Sequence, residues 1–208
     1  MGVFIDDQLS WTEHIKNLMN KISSIIGLIY RKSKILPMQC KKNIYFALIH
    51  SNLSYCIEVY GNTPKSNLNP LIIKCNNLLR VLQNKPRKTH VCDLYSYFNT
   101  LPVNLLSHFS ILKLIHRCQY DSVNVPVAIS QLFTTGCSIH RYNTRSNNNF
   151  ILQNCLNPTS VSFYGPSLWN KLPGSLQNCS SIYTFNKQLK LYLQKFIWTI
   201  FIIFCQDI

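Results

Sequence analysis

Six apolar residues, Trp11, Ile15, Leu18, Ile22, Ile25 and Ile29, recur at alternating steps of four and three. That spacing predicts an amphipathic helix with one stripe turned to a core. Ser10 followed three residues later by Glu13 has the form of a capping box, so the helix is expected to start there. Ahead of it, Val3 to Ile5 reads as a short strand. The adjacent acids Asp6 and Asp7 fall in the turn between the two, near the positive end of the helix. A further helix is expected over roughly 38–59, after Pro37, with Ile44, Tyr45, Leu48, Tyr55, Cys56 and Val59 inward and its end at Gly61. Asn69 as cap and Pro70 at the first helical position open the next one, whose stripe is Leu71, Cys75, Leu78 and Leu82. Pro102 starts another, with Leu105, Phe109, Leu112 and Ile115 on one face, and a short one is expected at "PVAISQLF".

From Thr134 to about Asn149 the composition turns to Asn, Ser, Thr and Gly and the periodicity vanishes, which marks an irregular loop or linker. Short extended pieces and one helical turn follow, held by Phe163, Leu168, Trp169 and Leu172. A last helix spans about 181–204. Four to six helices with few strands make the chain mainly α.

Composition sharpens the picture of partners. The 208 residues carry 21 Lys and Arg against 7 Asp and Glu, a net charge of +14. Such a surplus attracts polyanions, nucleic acid first and an anionic membrane surface second. On the first helix, Lys16, Asn20, Gly27, Arg31 and Lys34 form a second line. Its cations, and a glycine that lets another backbone come close, suit a phosphate-tracking face; a merely solvated face fits the same residues. Lys21 adds charge to that helix. "KPRKTH" concentrates Lys85, Arg87 and Lys88 in a loop. In "HRYNTRS", Arg141 and Arg145 flank Tyr142, two phosphate forks around one stacking ring, or an ordered loop pinned by Tyr142 and Asn143.

Catalytic patterns are missing. The seven acids, apart from Asp6 and Asp7, are scattered, and neighbours on a strand point to opposite faces, so the pair does not aim at one metal ion. There is no P-loop, no Gly-rich dinucleotide turn, no HExxH and no GxSxG. His108 and His116, eight apart, read as helix-surface residues. The nine cysteines lie 16 or more residues apart with no CxxC, and Cys137 with His140 makes a lone CxxH, so reduced thiols in the cytoplasm or nucleus are expected. No signal peptide is read at the start. The apolar tail "FIWTIFIIFC" is shorter than the ~20 residues a spanning helix requires, so no transmembrane segment is expected.

The segments "GVFIDDQLSWTEHI", "KISSIIGLIYR", "YFALIHSNLSYCIEVYG", "LLRVL", "RYNTRS", "FYGPSLWNKLP" and "FNKQLKLYL", in that order over positions 2 to about 193, resemble the C-terminal part of a non-LTR (LINE-type, jockey and CR1-like) retrotransposon reverse transcriptase. The resemblance implies a remnant of the last palm strand and its turn over 1–10, a thumb-like helical domain over 11–90, a helical linker region over 91–133, and an irregular segment with a terminal helix over 134–208. It implies a truncated reverse transcriptase that is no enzyme on its own, because the family's metal-holding carboxylates and fingers lie upstream. The parent polymerase would use Mg2+; no cofactor is implied for this chain. The implied partner is an RNA or DNA template–primer, with contacts at Lys16, Lys21, Arg31, Lys34, Lys85, Arg87, Lys88, Arg141, Tyr142 and Arg145, and structural roles for Ser10, Trp11, Glu13, Gly27 and Trp169. Tyr60 stands where the family usually has Trp, and the tail from Phe196 is unlike it. Two rival expectations stand beside this one: a non-catalytic helical interaction module, able to dock on the missing palm and fingers in trans, and a non-functional product that folds poorly.

Overall fold

The computed structural model describes residues 2–32, 35–135, 149–152 and 159–205. Nearly all regular structure in it is helical, as the periodicity predicts. Two compact units divide the chain: Met1–Ser107 with Gln194–Ile208, and His108–Leu193.

In the first unit α1 (Thr12–Lys32) buries Ile15, Leu18, Ile22 and Ile29, the expected stripe. Its start differs from expectation. Ser10 and Glu13 form no capping box: the Asp6 carboxylate takes the Ser10 N–H at 2.7 Å and the Ser10 hydroxyl as well, while Glu13 turns to Lys16. Trp11 is half-buried ahead of the helix, and both it and Leu9 hold positive φ, 62° and 51°, a strained conformation for bulky side chains that the double grip of Asp6 on Ser10 helps to hold. Val3 to Ile5 is not a strand: among the described residues it joins no β ladder, and the Phe4 N–H points instead to Nδ1 of His14 in α1, at 3.5 Å. Among the described residues the one β pairing is an isolated bridge between Thr135 and Phe150.

The chain then returns through α2 (Met38–Ile44), a π-helical turn (Tyr45–His50), α3 (Ser51–Ser54) and α4 (Ile57–Tyr60). The π turn widens the spacing of inward positions to four, so Lys41, Tyr45, Ile49, Leu53 and Ile57 are buried, whereas Leu48, Tyr55 and Val59, expected inside, are exposed. Extended backbone at Tyr55 and a left-handed Cys56 (φ 56°) break the helix before α4. Tyr60, completely buried, donates its hydroxyl to the Leu53 carbonyl that this break leaves open. Gly61 ends the leg at φ −72°, so conformational freedom is not what it supplies. A Cβ there would lie 2.4 Å from the Cβ of Ser107 and 2.6 Å from the Ile57 carbonyl oxygen.

Next, α5 (Lys65–Leu82) starts five residues before the predicted Pro70, which sits inside the helix and removes one backbone donor. Its stripe is as read: Leu71, Cys75, Leu78 and Leu82 are buried, with Leu68 and Leu79. The direction of α5 follows from its bonds to α1. Asn67 reaches the Ser10 carbonyl and the Thr12 hydroxyl, both at 3.4 Å. Seven residues on, the Lys74 ammonium donates to the Met19 carbonyl at 3.4 Å and the Ser23 hydroxyl at 2.5 Å. The two helices are therefore parallel, with α2 to α4 as the return leg, and both finish at one end of the unit. At the other end, the His14 ring meets Tyr60 edge-on at 4.9 Å. A helix not foreseen, α6 (Val91–Phe98), packs Cys92, Leu94, Tyr95 and Phe98 into the same core.

The second unit takes α7 (Val103–Tyr120) from His108 onward, α8 (Val127–Ser130), α9 (Val161–Asn170), α10 (Gly174–Gln177) and α11 (Ile182–Cys205) as far as Leu193. Trp169, 1% exposed, centres its core against Phe150 and Phe185. The expected single helical turn is a ten-residue helix, and buried Gly165 lets α9 approach Ile115 of α7, where a Cβ would stand 2.8 Å from the Ile115 Cδ1. Asn170 clasps Phe150 with its side-chain amide, accepting from the Phe150 N–H at 3.0 Å and donating to its carbonyl at 2.8 Å, as a neighbouring strand would. His108 and His116 are not surface residues. His116 is buried, stacked on Phe185 at 4.2 Å with Nε2 2.6 Å from the Cys179 carbonyl, and Nε2 of His108 lies 2.8 Å from the Tyr164 hydroxyl. No helix among the described residues is long and apolar enough to cross a membrane.

Candidate nucleic-acid interface

Because Ile15, Leu18, Ile22 and Ile29 fix which side of α1 faces the core, its other side is fixed too. Lys16, Asn20, Gly27 and Arg31 all lie on that outer side and are exposed. Lys16 and Arg31 are fifteen residues apart, about 22 Å along the axis. Glu13 stands 3.6 Å from Lys16, with both side chains about two-thirds exposed (67% and 66%). Such a pair is worth about 0–1 kcal/mol and dissolves readily before a phosphate. Nothing lies within 4 Å of a Cβ built on Gly27, so no described part of the chain uses the close approach expected there. Lys21 is exposed but sits about 140° round the helix from Lys16 and about 80° from Arg31. Its charge adds to burial in lowering the pKa of His14. Lys34 lies outside the described residues, as do Arg141, Tyr142 and Arg145, and Cys137 and His140.

The loop after α5 is built rather than loose. Asn84 adopts φ 51°, the Lys85 N–H returns to the Arg80 carbonyl at 2.9 Å, and the Asn84 N–H to that of Val81 at 3.2 Å. This is a Schellman cap with Asn in the left-handed position. The Arg80 guanidinium holds the far side of the loop through the Thr89 carbonyl at 3.3 Å, and the Thr89 N–H closes on the Pro86 carbonyl at 3.0 Å. Lys85, Arg87 and Lys88 are all exposed on this frame. Since α1 and α5 are parallel, the loop and Arg31 come to the same end of the first unit, whereas Lys16 stands toward the opposite end. Lys32, beside Arg31 in the last turn of α1, belongs to that end and was not singled out from the sequence; the signal was present in the run "YRK".

Burial favours the neutral forms of several groups otherwise capable of acid–base or nucleophilic chemistry. The Cys75 thiol is pushed up to about 12, and the phenols of Tyr45, Tyr60 and Tyr95 are also raised. The imidazoles of His14, His108 and His116 move the other way under burial, His108 down to about 4. The Ser10 hydroxyl holds the Asp6 carboxyl below its usual range. Asp6 is thereby engaged in shaping the turn, and Asp7 is exposed beside it. Among the described residues no three His, Cys, Asp or Glu come together as a metal set, and the Asp6–Asp7 turn does not fit the Mg2+ centre of a polymerase.

No family model matches the chain, and no solved structure matches it. Over 90 residues, 41% of the chain, it is 32% identical to the RNA-directed DNA polymerase from mobile element jockey of Drosophila melanogaster, of which it spans about a tenth (10%). Part of the chain is thus similar in sequence to a mobile-element polymerase.

Proposed function

We propose that the chain is a nucleic-acid-holding segment of a non-LTR reverse transcriptase, the thumb and the region after it, and that it grips a template–primer without joining nucleotides itself. What supports this reading is that Arg31 and the capped loop of Lys85, Arg87 and Lys88 are exposed at the same end of the first unit, in a chain similar to an RNA-directed DNA polymerase. Lys16 and Lys21 extend the contact along α1, and Lys34, Arg141, Tyr142 and Arg145 are proposed to add to it. The carboxylates and Mg2+ for chemistry would come from a polymerase palm, working in the cytoplasm or nucleus. If six phosphates are neutralised, log affinity falls against log salt with a slope of roughly −5. A titration of the purified chain with nucleic acid at several salt concentrations tests this, and absent or salt-independent binding rejects it.

A second reading is favoured by one feature, the exposure of Phe46, Leu48, Tyr55 and Val59 on the return leg. An apolar surface of this kind suits docking on another protein segment, the polymerase palm and fingers included. Restored primer extension on mixing the chain with such a segment supports it; no association rejects it.

A further inference from the structure

We infer that the basic end of the first unit takes unpaired nucleic acid, with tyrosine rings as stacking surfaces, in preference to blunt duplex. The inference rests on the nucleic-acid reading above and narrows its ligand.

Three observations carry it. The first is charge segregation. Arg31, Lys32, Lys42, Lys85, Arg87 and Lys88 lie where α1 and α5 finish and α2 begins, while Asp6, Asp7, Glu13 and Glu58 lie toward the end where α1 and α5 start and α4 finishes. Asp93 stands in the first turn of α6, where the positive end of the helix favours an acid. A field with one direction draws a polyanion to one end.

The second observation is aromatic. Tyr97 is 52% exposed, with the Lys42 ammonium 4.7 Å from its ring centroid, and Tyr30, 72% exposed, directly precedes Arg31. Cations interleaved with exposed rings are the composition of single-strand sites, because a ring stacks on a base face that pairing would hide inside a duplex. The third observation weighs against a duplex laid along α1. That face offers Lys16, which shares its charge with Glu13, and then no cation until Arg31, about 22 Å away.

The test is fluorescence anisotropy with the whole chain and three probes: a labelled mixed-sequence single strand, the same sequence as blunt duplex, and vesicles of phosphatidylserine with phosphatidylcholine. The single strand should bind at least about tenfold more tightly than the duplex. Tyr97→Ala and Tyr97→Leu should each lose about tenfold for the strand. The joint Lys85→Gln, Arg87→Gln, Lys88→Gln variant should lose more and flatten the salt slope, and Lys65→Gln at the opposite end should change neither. Thermal melts of each variant separate lost binding from lost fold, and Tyr97→Leu keeps an apolar side chain in place should Tyr97→Ala unfold. Equal or tighter duplex binding, or full strand affinity in folded Tyr97→Leu, overturns the inference while leaving the broader reading in place. Vesicle binding without oligonucleotide binding, or no binding at all, overturns both.

Discussion

One methyl group added to α1 and to the α4 terminus should act in opposite directions. In Gly27→Ala the new Cβ meets nothing within 4 Å, and position 27 lies in the interior of a 21-residue helix. The only terms left are helix propensity and unfolded-chain entropy, which favour Ala by roughly 0.5–1 kcal/mol. For a unit of about 100 residues that raises the melting temperature by several degrees, roughly 2–8 °C. In Gly61→Ala the same atom would fall 2.4 Å from the Cβ of Ser107 and 2.6 Å from the Ile57 carbonyl oxygen, both inside the core, so one of them must move. Overpacking of that kind costs about 1–3 kcal/mol. Circular dichroism melts and urea titrations of wild type and both variants read the two shifts. A destabilised Gly27→Ala would mean that something covers the outer face of α1, and an unchanged Gly61→Ala would mean that α4 does not approach α7 as described. If nucleic acid lies against Gly27, the stabilised variant should also bind it more weakly, a decoupling that folding alone does not produce.

Replacing Asn84 by Val, which resists the left-handed region, should destabilise the first unit by about 1–2 kcal/mol, while Asn84→Gly should be near neutral; equal urea midpoints for the two variants would refute the cap. His108 has its folded pKa lowered to about 4, so the unfolded chain binds the proton first. Stability is then complete above pH 6.5 and declines as pH falls from 6.5 toward 4, by at most about 3 kcal/mol from this residue, with buried His116 acting in the same direction. His108→Gln should flatten that part of the profile, and an unchanged slope in urea titrations at pH 7 and pH 4.5 would contradict it. Asn170→Leu leaves the buried Phe150 N–H and carbonyl without their partners, a loss of about 1–3 kcal/mol by denaturant titration, and an unshifted midpoint would show that the clasp carries nothing.

What could be read from the chain follows from how locally each feature is encoded. The stripes of α1 and α5 were legible because each helix has one wholly buried and one exposed side. The return leg was not, since its inward positions follow steps of four through a π turn and the first of them is a lysine, Lys41, buried to 2%. Its true inward line therefore never matched a 3.6 period. In α6, eight residues are too few to display a period. In α9, Gly165 and Pro166 read as breakers, although Gly165 serves a close helix contact and Pro166 is buried within the helix. Ser10 and Glu13 had the spacing of a capping box, but the carboxylate of Asp6, four residues before Ser10, takes the Ser10 N–H that Glu13 would have to reach back for. Of the candidate interface, the residue types were visible in the sequence. Their gathering at one end was not, because it depends on α1 and α5 lying parallel, and that is written in bonds between residues more than fifty positions apart, such as Lys74 with Ser23.

The most direct measurement is a native gel of the purified chain with a labelled primer–template, Mg2+ and nucleotides, read for mobility and for primer length together. A retarded band that weakens with salt, holding primer of unchanged length, is the predicted result. Primer lengthened by the chain alone, or primer–template running free at low salt, would contradict the account.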